Sequence, residues 1–449
     1  MRNCIIGLAF LSVVLVVNVH ARAQTAPETP LGQEAPRNLP EREEWFSDLA
    51  LGMFIHWSVD SQLGSVISHS LAGASDDYIE RFFTELPATF EPKQFDPSDW
   101  ARLAKVAGMR YVMFTAKHHS GFCMFDTETT DFSIMHTPFK RDITREIIEA
   151  YRREGIAVGL YFSPEDFWML HQQGQVINRT PPYALPSNNE GLRDHNRRQL
   201  RELFTNYGPI DLAFLDSGDA ADAVETIWNI KRDTVITRGV METPEQKTPD
   251  TPLPPPWEAC YTLGTQWQFK PTNEVYKTGT ELIEKLIEIR AKGGNLLLNV
   301  GPEPSGVIPF EQERVIRELA LWLFVNGEAI YAVRPWHIIR EGDFWFTKAK
   351  DAQTLYAFLT RQHPWPRGER REFVLKSVRA TDQTEVAVLG HGGKAVEYQP
   401  ETDATPRWTQ EEQGLRISVV RGQRIYNNGQ WPNPIVVRLT HVEPVPTQP

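Results

Sequence analysis

Asp216 closes an apolar run, IDLAFLDSGD, at residues 210–219. The run reads as a buried strand that stops at a loop. In a parallel α/β sheet or barrel, catalytic groups sit at such carboxyl ends, held by the strand and facing the cleft. An aspartate there also serves as the N-cap of the helix that follows a βα loop. The ten residues alone leave the two roles even, and the rest of the chain has to separate them.

Other apolar runs end in reactive groups too. LGMFIHW at residues 51–57 ends in His56 and Trp57. The run at 110–115 leads into Lys117, His118 and His119. The run at 156–161 ends in Tyr161, and a weak one at 234–237 precedes Arg238. Hydroxyl-rich neutral ligands need many hydrogen-bond partners at fixed angles, and aromatic surface for their C–H faces. Histidine, arginine, tyrosine and tryptophan together suit a sugar. Two carboxylates flanking a glycosidic bond would then supply the reaction. Asp216 is the candidate for one; Glu242, Glu245 and Glu258 are candidates for the other. A general acid must keep its proton near neutral pH, through burial or a neighbouring charge.

Plainer roles compete with these. A lone histidine at a strand end is commonly a hydrogen-bonded core residue. The pair His118-His119 is harder to explain so, since adjacent strand residues face opposite ways. Trp57 and Trp267 have core packing as the competing role, and Glu258, after Trp257, has an ion pair with an arginine. Cys123 and Cys260 read as buried free thiols in preference to a disulfide. The chain carries no CxxC, no HExxH and no zinc-like spacing, so neither metal nor cofactor is implied.

The elements that must position these groups follow a rhythm. Helical periodicity at 95–107, 142–153, 192–207, 280–290 and 310–325 alternates with strand-like runs, including a buried one at 295–300. Such alternation predicts βα units and a parallel sheet. Residues 60–83 read as an irregular insertion with a polar patch containing Asp77. After Trp336 only short strand-like runs remain, at 344–346, 354–360, 372–375, 385–389, 415–420 and 435–439, the pattern of a β-sandwich. The expected fold is α/β: an irregular (β/α)8 TIM-like barrel over residues 41–337, then a β-sandwich over 338–449.

The chain has 449 residues and a formal net charge of −11, which disfavours nucleic acid as a partner. Arg2, the apolar run at 4–17 and Ala21-Arg22-Ala23 form a secretory signal over residues 1–23. Residues 24–40, rich in proline and polar groups, read as a mobile leader. The expectation is a secreted or periplasmic protein with no membrane segment in its mature form. Its oligomeric state is not legible.

The blocks FIHW, AKHHSGF, GLYFSPEDF, IDLAFLD, ITRG, METPEQ, PPWEACYTLGTQW and GGNLLLNVGPEPSGVIP, in that order over residues 45–336, resemble the α-L-fucosidase family, glycoside hydrolase family 29. The resemblance implies a retaining exo-glycosidase that removes terminal α-L-fucose from oligosaccharides or glycoconjugates. It implies Asp216 as nucleophile and Glu245 as acid/base, with Glu258 as the alternative. It implies sugar contacts from His56, His118, His119, Tyr161, Arg238 and Trp267, with Trp57 and Phe214 beside them. The chain departs from the pattern at Ser120, where the family often has Asp, at Phe214, where Trp is common, and at Trp267-Gln268-Phe269, where a WGY-like sequence is common. It also has no clear carboxylate motif in the first long loop, for which Asp77 is the substitute. A fucose-binding protein that has lost catalysis, and a related enzyme such as an α-L-galactosidase, are the alternatives.

Overall fold

Seven strands form one parallel sheet: β1 (Leu51–Ile55), β2 (Tyr111–Lys117), β3 (Ala157–Phe162), β4 (Leu212–Leu215), β5 (Val235–Ile236), β6 (Trp257–Thr262) and β7 (Gly294–Val300). Their spatial order is β5-β4-β3-β2-β1-β7-β6, and every neighbouring pair is parallel. The computed structural model describes residues 36–64, 67–351, 353–360, 365–422 and 433–445. The secretory signal expected over residues 1–23 lies outside the described residues.

The strands are buried along their length, β2 and β7 at every residue. This is the state of a parallel sheet covered on both faces. Alternate residues serve different cores. Tyr111 and Met113 join an inner cluster with Phe54, Tyr161, Leu212, Phe214, Val235, Cys260 and Leu297, while Val112 and Phe114 join an outer one with the helices. Val235 of β5 and Cys260 of β6 lie on strands at opposite edges, yet share the inner cluster. The sheet therefore curls until its edges approach. Between them, residues 242–246 run parallel to β6: Glu245 bridges Cys260, Glu258 N–H donates to Glu242 O (3.1 Å), and Gln246 N–H donates to Cys260 O (2.9 Å). In place of eight expected strands, the described residues hold seven and this short bridged segment.

Nine α-helices accompany the sheet among the described residues: α1 (Pro40–Leu49), α2 (Asp76–Thr89), α3 (Pro97–Val106), α4 (Ile143–Arg153), α5 (Phe167–Gln172), α6 (Glu190–Asn206), α7 (Ala221–Ile230), α8 (Gly279–Ala291) and α9 (Phe310–Asn326). Their starts are legible in local chemistry. Asp96 caps α3 ahead of Pro97, Asp142 caps α4, and Thr278 with Glu281 forms a capping box on α8. The segment 60–83, expected to be irregular, instead holds two 3-10 turns (Val59–Leu63 and His69–Leu71) and most of α2. The end of the leader is also anchored: Asn38 accepts from Ile236 N–H and donates to Ile236 O, so it extends the edge at β5. None of the described helices is long and apolar enough to cross a membrane.

The remaining strands are antiparallel. β8 (Val333–Glu341), β9 (Phe344–Ala349), β10 (Leu355–Leu359), β12 (Val378–Val388) and β15 (Ile435–Pro444) form a five-stranded sheet; β11 (Arg370–Leu375), β13 (Arg407–Glu411) and β14 (Gly414–Val420) form a three-stranded one. Their inward residues, such as Phe346, Ala357 and Leu439 against Leu375, Ile417 and Val419, form one apolar cluster. Antiparallel pairing begins at Val333. Cys123 and Cys260 are both buried free thiols, as the sequence reading preferred.

Candidate active site

Asp216 stands immediately after β4 and does not cap α7, whose N-cap is Ala220 and lacks a side-chain hydrogen bond. Its carboxylate is held from both sides. Tyr161, in β3, donates its hydroxyl to Oδ2 at 2.7 Å, and Arg238, after β5, donates to Oδ1 at 2.7 Å. Nε2 of His119, after β2, is 3.3 Å from Oδ2, close enough for charge attraction but off the line of a hydrogen bond. Burial alone would raise the Asp216 carboxyl. His119, Arg238 and Arg179 outweigh burial and hold it well below the usual carboxylate range. Asp216 is thus ionised, oriented and, with its side chain 17% exposed, open to the cleft.

Arg238 touches a second carboxylate. Its guanidinium donates to Glu245 Oε2 (3.1 Å), while its Nε and Nη2 are tied to Thr243. One cation thereby joins the two carboxylates and closes the seam between β5 and the segment 242–246. The Glu245 side chain is 44% exposed, beside a groove of about 970 Å³ lined by Glu242, Lys247, Asp250 and Leu253. Glu258 has a different position. It is fully buried near the start of β6, accepts from the Tyr111 hydroxyl at 2.5 Å, and lies in the layer of the inner core where β2 begins. Burial, only partly offset by Tyr111, Thr237 and Arg238, pushes its carboxyl up to about 7. A carboxyl with that value could serve as an acid, but this one has no surface toward the cleft. It is a core residue, not the ion pair that the sequence also allowed.

Three histidines meet beside Asp216. Asn299, in β7, donates its amide to Trp267 O and so turns its Oδ1 to His56 Nδ1 (2.6 Å). That contact makes Nδ1 the protonated nitrogen of His56 and leaves Nε2 as an acceptor. Burial lowers His56 to about 3, so it is neutral and binds through hydrogen bonds. His118 is lowered by burial and by His119 and His56; its ring stacks on Tyr161 at 5.2 Å with an interplanar angle of 3°. His118 Nδ1 meets the Ser68 hydroxyl (3.0 Å), which also accepts from Ser120 N–H. Ser68 has a left-handed backbone (φ 48°), and its N–H is held by buried Asp60, whose other oxygen takes Gln268. Trp267 is half-buried with its ring 5.0 Å from that of His56.

Three expected contacts are not in this cluster. Trp57 lies in the outer core against Phe90, Phe95 and Trp100, its indole N–H on Glu303 O, because its side chain faces away from the inner layer. Phe214 is 1% exposed and packed under Tyr161 and the Arg238 guanidinium, so it supports the site from below. Asp77 is exposed in the first turn of α2, where a carboxylate favours the helix dipole. The sequence reading also missed supports: Ser68, Asp60 and Asn299 carry no signal apart from the loop and strand they occupy. Glu165 was visible in SPEDF, yet its role needs the geometry.

His118, His119 and Asp216 each offer one atom within 4.8 Å of the others. That set is a poor cation site, because Arg238 and Tyr161 occupy both carboxylate oxygens of Asp216. The arrangement fits a nucleophilic carboxylate flanked by neutral hydrogen-bonding rings.

A sequence model of the α-L-fucosidase family matches residues 17–328. The plasma α-L-fucosidase of Rattus norvegicus is 29% identical over 440 residues, covering 86% of this chain and 91% of that protein. The plasma α-L-fucosidase of Homo sapiens is 28% identical over 411 residues, covering 79% and 82%. Among solved structures, α-L-fucosidase isoenzyme 1 from Paenibacillus thiaminolyticus superposes with a TM-score of 0.71 at 26% identity, over 89% of this chain and 98% of that one.

Proposed function

The chain belongs to the α-L-fucosidase family, and from that membership we propose that Asp216 and Glu245 carry a two-step hydrolysis of terminal α-L-fucosides. Glu245 gives its proton to the glycosidic oxygen while Asp216 attacks the anomeric carbon and the leaving alcohol departs. A fucosyl ester forms on Asp216. Glu245, now a base, takes a proton from water, and the hydroxide displaces the ester at the same carbon. Two inversions return fucose with retained configuration. His56, His118 and Trp267 bind the sugar, and His119, Tyr161 and Arg238 orient the nucleophile.

One observation carries this reading: the Arg238 guanidinium binds Asp216 Oδ1 and Glu245 Oε2 together, which brings the two carboxylates to one site. The depressed Asp216 carboxyl supports catalysis over mere sugar binding, since a binding pocket has no need of an ionised nucleophile. The strand order supports an irregular (β/α)8 barrel in which residues 242–246 take the eighth position, and the shared apolar cluster supports a β-sandwich behind it. Residues 1–23 support export to the periplasm or the medium.

With an activated aryl α-L-fucoside, Asp216→Asn is expected to lose about a thousandfold or more in kcat with the fold intact. Glu245→Ala is expected to keep forming the fucosyl ester on Asp216 and to regain turnover with azide. Wild-type rates in Asp216→Asn would overturn the nucleophile. Azide rescue at Glu258→Ala but not at Glu245→Ala would move the acid/base to Glu258.

A further inference from the structure

The mechanism leaves one buried carboxylate beside the nucleophile without a role. Glu165 follows β3 and is 3% exposed. Its Oε1 accepts from the hydroxyl of Ser217, the residue next to Asp216, at 2.8 Å. Its Oε2 is 3.6 Å from His119 Nδ1 and 4.0 Å from the Arg179 guanidinium. Glu165 thus touches both the loop that carries the nucleophile and the histidine that faces it.

Ser163 bridges the carboxylate and the histidine. Its Oγ lies 2.8 Å from Glu165 O and 3.3 Å from Glu165 Oε2. The same Oγ is 2.5 Å from His119 Nδ1, so the hydroxyl joins Glu165 to the ring. On its other side His119 Nε2 faces anionic Asp216 at 3.3 Å. Glu165 and Asp216 thus stand at opposite nitrogens of the His119 ring.

We propose that Glu165 is a positioning residue for the nucleophile: through Ser163 it fixes the His119 ring with Nε2 facing Asp216, and through Ser217 it anchors the Asp216 loop. The proposal rests on Asp216 being the nucleophile. Glu165 works from behind, and its effect belongs to the step in which the Asp216 charge moves into a bond. Losing it slows kcat more than it weakens sugar binding.

The test uses Glu165→Gln and Glu165→Asp in the full chain with an activated aryl α-L-fucoside. Glu165→Gln keeps the shape and an oxygen for Ser217 but loses the charge. It is expected to lose roughly ten- to a hundredfold in kcat, the range for groups that orient a reactive ligand from behind, with KM within about threefold of wild type. Glu165→Asp keeps the charge and is expected to recover most of the loss. Wild-type kcat in Glu165→Gln would overturn the proposal, as would equal losses in the two variants, the mark of a packing role alone. Should Glu165→Gln not fold, Ser163→Ala cuts the link to His119 directly; unchanged kcat there would overturn the proposal as well. Asp216→Asn in the same series separates the two ideas, since turnover in that variant would refute the nucleophile whatever Glu165 does.

Discussion

A carboxyl buried without a cation must either lose its charge or be compensated, and the two interior carboxylates near Arg238 divide along that line. Asp216 has Arg238 and His119 within reach and stays charged. Glu258 has the Tyr111 hydroxyl and no ion pair, and is pushed up to about 7 from 4.5. Glu258 therefore ties stability to pH. Its folded value is raised, so its contribution is fully present below about pH 4.5 and is lost as pH rises through 7. The loss is about 3 kcal/mol. Glu258→Gln can still accept from Tyr111 and never charges. We expect the wild type to lose urea resistance relative to Glu258→Gln as pH rises from 5 to 8, with fucosidase activity in the variant retained. Parallel pH dependences in the two proteins would show that Glu258 carries no such burden. At this scale the sequence showed residue types better than side-chain direction. His56 and Trp57 are neighbours, yet one faces the cleft and the other the outer core, a distinction set by strand register.

The loop after β1 shows what a single element contributes. Asp60 is buried, and both of its partners are donors: the Ser68 N–H (2.8 Å) and the Gln268 amide (3.1 Å). It thereby holds the left-handed turn at Ser68, which in turn holds His118. Asp60→Ala strands both donors, and each buried unsatisfied group costs about 1–3 kcal/mol. The expected result is a lowered melting temperature and a raised KM, as His118 loses its anchor. Asp60→Asn is expected to be much milder, because Gln268 can flip its amide and offer the oxygen that now has no partner. If Asp60→Asn is as damaging as Asp60→Ala, the charge matters and the turn does not explain it. Elements with strong periodicity or caps, such as α3, α4 and α8, were legible from sequence. α2 was not, since its stretch carries an internal Pro87 and follows two short turns. Nor was β6, where a run of prolines precedes WEACYT and its glutamate breaks the apolar pattern that marks a buried strand.

Over the whole molecule, the two sheet systems share a core. Trp345, Tyr356, Phe358 and Val436 of the antiparallel sheet belong to the same buried cluster as the faces of α8 and α9, and the Trp322 indole in α9 donates to Pro434 O at 2.7 Å. The buried Arg290 of α8 fastens the seam, with hydrogen bonds to Ser47 O, Gly294 O, Ile330 O and Val333 O. Residues 37–449 accordingly cluster as one compact unit. The change of pattern after Trp336 was legible from sequence, but this shared burial was not, because apolar helix positions do not reveal which neighbour covers them. Calorimetry on the full chain should therefore show one cooperative transition, with a calorimetric enthalpy equal to the van't Hoff value. A chain ending after Tyr331 should fail to fold: it would expose the α8 and α9 faces and leave the Arg290 guanidinium without its Val333 partner. A truncated protein with native near-ultraviolet dichroism and its own sharp transition would show that the catalytic half stands alone. If it also cleaved aryl fucosides at the wild-type rate, the antiparallel sheets would have no part in holding the cleft.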